Sequence, residues 1–194
     1  LVNMLKNPSF EESKDGLPLN WISKVHRGTA TLSIDSSLAR TGKNSGRIES
    51  KVGGGAEFLM VRSMEPGEYL LSAWVRTKDI EGKNGVLLKV QGRGLQTKES
   101  AKLKGTSNEW QKLQINFRVD SQSGVLVFCL FGAWSEAKGT VWFDDVELFQ
   151  LSSDKVIPKV TKVESLLAKQ AFEKGPEAMI KLVELINTKD EKSS

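Results

Sequence analysis

Between Glu68 and Thr77 the chain reads EYLLSAWVRT. Leu71, Ala73 and Val75 alternate with Ser72, Trp74 and Arg76, and a period of two sends the two sets to opposite faces of a strand. Gln111 to Val119 repeats the pattern, with Leu113, Ile115, Phe117 and Val119 against Lys112, Gln114, Asn116 and Arg118. Val125 to Phe131 is apolar throughout, which predicts a mid-sheet strand whose outward face is covered by a loop, a helix or a ligand. Further strands are expected at Ala30–Ile34, Ser45–Ser50, Glu57–Arg62, Val86–Gln91 and Thr140–Phe149. Short runs separated by clusters of Gly, Asn, Ser and Pro predict an antiparallel all-β domain of roughly eight or nine strands. Glu65-Pro66-Gly67 reads as a turn, since Pro presets φ at one central position and Gly tolerates φ > 0 at the next.

The period changes after Gln150. Residues 151–160, which contain Pro158, read as a linker. Val163, Leu166, Leu167 and Ala171 then recur at helical spacing, and after Gly175-Pro176 so do Met179, Ile180, Leu182, Val183 and Ile186. A helical hairpin, or the start of a truncated domain, is expected over 161–190.

Composition narrows the function classes. The 194 residues carry 28 basic and 24 acidic side chains, a formal charge of +4. The charges are interspersed rather than blocked, which argues against a nucleic-acid partner. No apolar run approaches the roughly 18 residues of a membrane span. The chain opens on Leu, without the charged and apolar regions of a secretory signal, as expected of a processed chain or an excised fragment. A lone cysteine, Cys129, flanked by Phe128 and Leu130, is expected to be a buried thiol. With a single histidine, His26, the chain lacks the usual zinc ligand set and a Cys/His pair with an orienting group. Carboxylates and hydroxyls remain for any chemistry.

Three segments resemble carbohydrate-binding modules of families four and nine, within the galactose-binding-like β-sandwiches. They are Asn7-Pro8-Ser9-Phe10-Glu11-Glu12 with Gly16-Leu17-Pro18-Leu19-Asn20-Trp21, then Ala39-Arg40-Thr41-Gly42-Lys43-Asn44-Ser45, and Gly139-Thr140-Val141-Trp142-Phe143-Asp144-Asp145-Val146-Glu147-Leu148. Pro66-Gly67-Glu68-Tyr69 and Asn108-Glu109-Trp110 also fit, so the likeness covers residues 2–150. It implies a jelly-roll β-sandwich that brings the first and last strands together. It also implies a non-catalytic module that binds a polysaccharide or oligosaccharide, tethered to the remainder of a parent chain in an extracellular, cell-surface or periplasmic setting. Many relatives hold a structural calcium near that junction, for which Glu11 with Asp144 or Asp145 would supply oxygen ligands; the alternative is that these carboxylates accept local hydrogen bonds.

Sugar rings present C–H faces to flat aromatics and hydroxyls to planar polar groups. The resemblance makes Trp21, Trp110 and Trp142 structural, which leaves Trp74 and Trp134 as candidate platforms. Arg76, Gln91 and Asn116, on outward strand positions, are their candidate polar partners. Each tryptophan has a plainer reading, Trp74 beneath a loop and Trp134 under the C-terminal helices. His26 reads as a lone surface histidine. Gly92-Arg93-Gly94 and Gly53-Gly54-Gly55 read as turns or bulges, lacking the helix a phosphate loop requires. Glu11, Glu12 and Glu136 are the carboxylates a glycosidase would draw on, a reading the resemblance to non-catalytic modules disfavours. The alternative function is a structural or protein-interaction sandwich with the C-terminal helices as contact element.

Overall fold

The computed structural model describes residues 1–154, a single compact unit. The helical hairpin expected over 161–190 and most of the linker lie outside the described residues. Eleven strands follow in order: β1 (Ser13–Lys14), β2 (Leu17–Pro18), β3 (Ile22–Gly28), β4 (Thr31–Asp35), β5 (Ser45–Met64), β6 (Gly67–Gly82), β7 (Val86–Gly92), β8 (Leu95–Glu99), β9 (Gln111–Val119), β10 (Ser123–Phe131) and β11 (Ala137–Ser153). All pairings are antiparallel.

Strand β5 belongs to two layers. Its first half, Ser45 to Ser50, pairs with β4 and β11, and β11 continues through β6 to β9. Its second half, from Gly54 to Met64, pairs with β3 and β10, and β10 continues through β7 to β8. The Gly53-Gly54-Gly55 segment does not divide two strands, as the sequence suggested, but bends one strand from layer to layer. Gly53 has φ 119°, and a Cβ there would lie 2.9 Å from Glu136 Oε2.

Between the layers lies the main core. Leu71, Ala73, Val75, Leu113, Ile115, Phe117, Val141 and Phe143 face Phe58, Met60, Val90, Val125, Val127 and Cys129. The alternation along β9 is met in full, and Cys129 is buried, a setting that raises its thiol pKa. At the junction of the chain's two ends, Met4 N–H donates to the Leu148 carbonyl at 2.9 Å and Val146 N–H to that of Pro8 at 2.9 Å. Trp21 is sealed in this corner, stacked on Phe10 with centroids 5.3 Å apart. Strand β11 runs on to Ser153, through the first residues of the expected linker.

A second, smaller apolar cluster sits outside the sandwich. Leu87, Phe128, Leu130 and Ala133 are buried together, with Leu59 and Leu126 packed against them. These are the outward positions of the all-apolar β10 and its neighbours. Ala133 of the turn after β10 joins them, so a loop supplies part of the cover for which the sequence left a loop, a helix or a ligand open.

Candidate functional site

Two outer faces divide the five residues named from sequence. Trp74, Arg76 and Asn116 lie on the β6–β9 layer, opposite the strand positions Asp144, Trp142 and Leu70. Gln91 and Trp134 belong to the β7–β10 side. One groove containing all five is therefore not formed, because the layers turn these faces away from each other.

Trp74 is half-buried, and the Arg40 guanidinium lies 3.9 Å from its ring centroid. Lys112 Nζ approaches the same ring at 5.8 Å. The ring is thus capped by a cation and offers no clear platform. Trp142, expected to be packed, is only half-buried and lines a shallow cleft of about 440 Å³ on this face with Arg47, Glu49 and Lys78. Its indole N–H donates to Asp35 Oδ2 at 2.8 Å.

Trp134 is different: 64% of its surface is exposed. It stands on a turn that is pinned on several sides. Gly132 N–H donates to the Gly85 carbonyl at 2.8 Å, Ser135 N–H to the Gly132 carbonyl at 2.9 Å, and Asn84 Nδ2 to Ser135 Oγ at 3.3 Å. Ala133 adopts φ 46°, an uncommon conformation for a residue with a side chain, held by these bonds and by burial.

His26 adds the remaining tie. Its Nε2 lies 2.6 Å from the Ala133 carbonyl oxygen, which can only accept, so Nε2 carries the hydrogen. Its Nδ1 is 2.7 Å from Glu57 Oε2, at an angle too bent for an aligned hydrogen bond. The ring fits because residue 55 is glycine; a Cβ there would lie 2.5 Å from His26 Nε2 and 3.0 Å from the Ser135 carbonyl oxygen.

Beneath the indole is Lys89. Its ammonium lies 4.2 Å from the Trp134 ring centroid and 5.6 Å from that of Phe128. Only 3% of the residue is exposed, and burial lowers its pKa against the opposing pull of Glu99 and Glu57. The register sets Lys89, Phe128, Leu59 and Ile22 side by side across β7, β10, β5 and β3. Three inter-strand steps make a row of about 14 Å. The next row is Gln91, Leu126 and Val61. Ile22 and Val61 are both about half exposed, at 52% and 51%. The face thus joins a rigid exposed indole, a polar cluster of Lys89, Glu57 and His26, an apolar floor, and exposed Gln91.

Lys89, Glu57 and His26 were not chosen from sequence. Lys89 did leave a signal, being the one charge inside the apolar run Val86 to Val90. Glu57 and His26 left none, because a bulge between Val25 and Arg27 sets the histidine's direction.

The junction named for calcium has a different use for its oxygens. Glu11 Oε1 accepts from the backbone N–H groups of Lys43 and Asn44 at 2.9 and 3.0 Å. Asp144 is fully buried; its Oδ2 accepts from Arg40 and Thr41 N–H at 2.7 and 3.2 Å, and its Oδ1 from Asp145 N–H at 2.7 Å. Burial pushes its pKa up to about 6, partly offset by these donors. Asp145 accepts from Ser9 Oγ, Thr41 Oγ1 and the Arg40 guanidinium at 2.7, 2.6 and 2.6 Å. Burial acts to raise the Asp145 pKa, but these donors outweigh it and hold the group below the usual carboxylate range. Among the described residues no three His, Cys, Asp or Glu side chains gather as a metal would need. Each of the three carboxylates thus accepts from protein donors, the alternative that the sequence left open beside calcium.

No protein-family model matches the chain, and no curated protein sequence matches it. Solved structures do. The chain is similar to TmCBM61, a carbohydrate-binding module solved with β-1,4-galactotriose, at TM-score 0.57 and 20% identity, covering 77% of this chain and 99% of that one. It is similar to the CBM22-1 xylan-binding domain from Paenibacillus barcinonensis Xyn10C at TM-score 0.50 and 20% identity, covering 75% and 92%. A third likeness is to the arabinose-bound MgGH51 α-L-arabinofuranosidase, at TM-score 0.55 and 16% identity, covering 76% of this chain but only 26% of that enzyme. At these identities the likeness establishes the fold: an all-β sandwich of the architecture used by carbohydrate-binding modules. These modules are of families 61 and 22, so the narrower likeness to families four and nine rests on the sequence segments alone.

Proposed function

We propose that the chain is a non-catalytic carbohydrate-binding module of the jelly-roll, galactose-binding-like kind, and that its ligand lies across the outer face of β7, β10, β5 and β3. The observation that carries this reading is Trp134, an indole left mostly open on a turn held by His26, Gly85 and Asn84. A ring carried on a pinned turn costs less backbone ordering on binding, so more of the stacking and dehydration goes into affinity. Beside it the Lys89 ammonium and the exposed Gln91 amide serve hydroxyl groups, while the half-exposed Ile22 and Val61 meet C–H faces. Support at the level of fold comes from the galactotriose-binding and xylan-binding modules. By analogy with them the module would work outside the cell or at its surface, holding a parent chain near its polysaccharide and raising the local concentration of whatever that parent acts upon.

The test is direct binding. Affinity electrophoresis and calorimetry against β-1,4-galactan, xylan and acidic polysaccharides are expected to show retention that Trp134→Ala removes and Trp74→Ala leaves in place. Absence of retention on every glycan would sink the reading.

A further inference from the structure

We propose that the face beside Trp134 selects oligosaccharides carrying a carboxylate, with Lys89 as the group that meets it. This rests on the sugar-binding reading and goes further by naming the ligand's charge.

Lys89 is an unusual residue for its place. It interrupts the apolar run Val86-Leu87-Leu88-Lys89-Val90 and points outward from the middle of its strand. There it is buried almost entirely. Its ammonium approaches two π faces, and no hydrogen-bond acceptor or ion-pair partner lies within reach among the described residues. Buried charges are ordinarily paired, because removing an ammonium from water without a counter-charge is costly. A cation over an indole recovers part of that cost and leaves N–H donors without an oxygen or nitrogen acceptor.

Two carboxylates influence it at longer range. Glu57 turns one oxygen to His26 at 2.7 Å, so that carboxylate is already engaged by an imidazole. Glu99 stands opposite Lys89 on the edge strand β8 but is exposed, where water screens its charge. Neither closes an ion pair. Lys24, exposed and opposite Glu57 on the same face, adds a second positive group to the groove. Neutral hydroxyls would use some of the Lys89 donors. A ligand carboxylate would use them and also supply the missing charge, and charge-assisted bonds are about twice as strong as neutral ones. The chemical class is therefore an oligosaccharide containing a uronic acid, its ring on the Trp134 face and its carboxylate toward Lys89.

The experiment compares charged oligosaccharides with the same molecules after reduction of their carboxyls to alcohols, which changes the charge and little else. Tetramers of galacturonate and mannuronate and a glucuronate-substituted xylotetraose serve as probes, titrated by calorimetry at low and moderate salt. At least one charged probe is expected to bind about tenfold or more tightly than its reduced form, a gap that closes as salt rises. Lys89→Met is expected to erase that gap, with the charged probe losing at least about tenfold more affinity than the reduced one. Lys89→Gln, which keeps donors without the charge, is expected to do the same, so the result does not hang on one variant folding. Circular dichroism melts confirm that both fold. Trp134-dependent binding of reduced sugars, as tight as or tighter than their charged forms, overturns this inference and leaves the sugar-binding reading intact. Failure of every probe and every neutral polysaccharide to bind overturns both.

Discussion

Removing the Trp134 ring should separate binding from stability more cleanly than any other substitution in the chain. A tryptophan side chain offers roughly 200 Å², and 64% of this residue stands open. A sugar ring on the free face would cover about half of the open part, on the order of 60 Å²; at ~25 cal/mol/Å² that is about 1.5 kcal/mol, about tenfold in Kd. Hydrogen bonds that depend on the stacked pose would fall with it, so tenfold is a lower expectation for Trp134→Ala. The cost to the fold is small, because the ring stands mostly open and its cation–π contact with the Lys89 ammonium is worth about 0.5–2 kcal/mol. Calorimetric titration of wild type and variant with the tightest-binding glycan, beside thermal melts of both, makes the check. Unchanged affinity in a folded Trp134→Ala protein would refute the reasoning, since no other exposed indole stands on this face among the described residues.

Other consequences follow from the groove and the strand junction. His26→Ala removes the tie to the Ala133 carbonyl and leaves Glu57 without its neighbour, so affinity should weaken about 3- to 10-fold and stability fall by about 1–3 kcal/mol, read by calorimetry and denaturant melts. Gly55→Ala should mimic that loss of affinity, because its methyl would displace the same imidazole. Asp144→Asn sets an amide NH2 against backbone donors and should cost about 1–3 kcal/mol, seen as a lower melting temperature. The Asp144 pKa stands near 6 when folded against 3.8 in a model peptide, so the folded state holds that proton more tightly. Its contribution therefore favours the fold below about pH 4, declines as pH rises toward 6 by at most about 3 kcal/mol, and is flat above, a slope the Asn variant should lack. Chelation with EDTA should leave melting and sugar affinity unchanged, since Glu11, Asp144 and Asp145 each accept from protein donors; a rise of several degrees on adding calcium would show that the junction admits the ion.

Much of this architecture was legible in the order of residues. Alternation located β6 and β9, and the unbroken apolar run of β10 correctly implied a covered outer face. Trp134 itself was singled out another way, as one of the two tryptophans that the motif positions left over. Less was legible where direction depends on a neighbour. Trp74 has the same alternating context as a free platform, yet an arginine from residue 40 reaches across and occupies it. Trp142 fits a motif that implied packing and instead borders a cleft. The polar half of the groove was hidden for a related reason: Glu57 and His26 meet through a bulge and a glycine bend, and neither has a sequence period.

A saccharide bound as proposed lies on the β7, β10, β5 and β3 face against Trp134. Nitrogen-15 resonance mapping of the isotopically labelled chain, titrated with the tightest-binding oligosaccharide, tests it most directly. The account predicts that the Trp134 indole N–H and the backbone signals of Lys89, Phe128, Glu57 and Gln91 move together and saturate at one ligand per chain. Shifts confined to the opposite face around Trp74, Trp142 and Arg76 would contradict it.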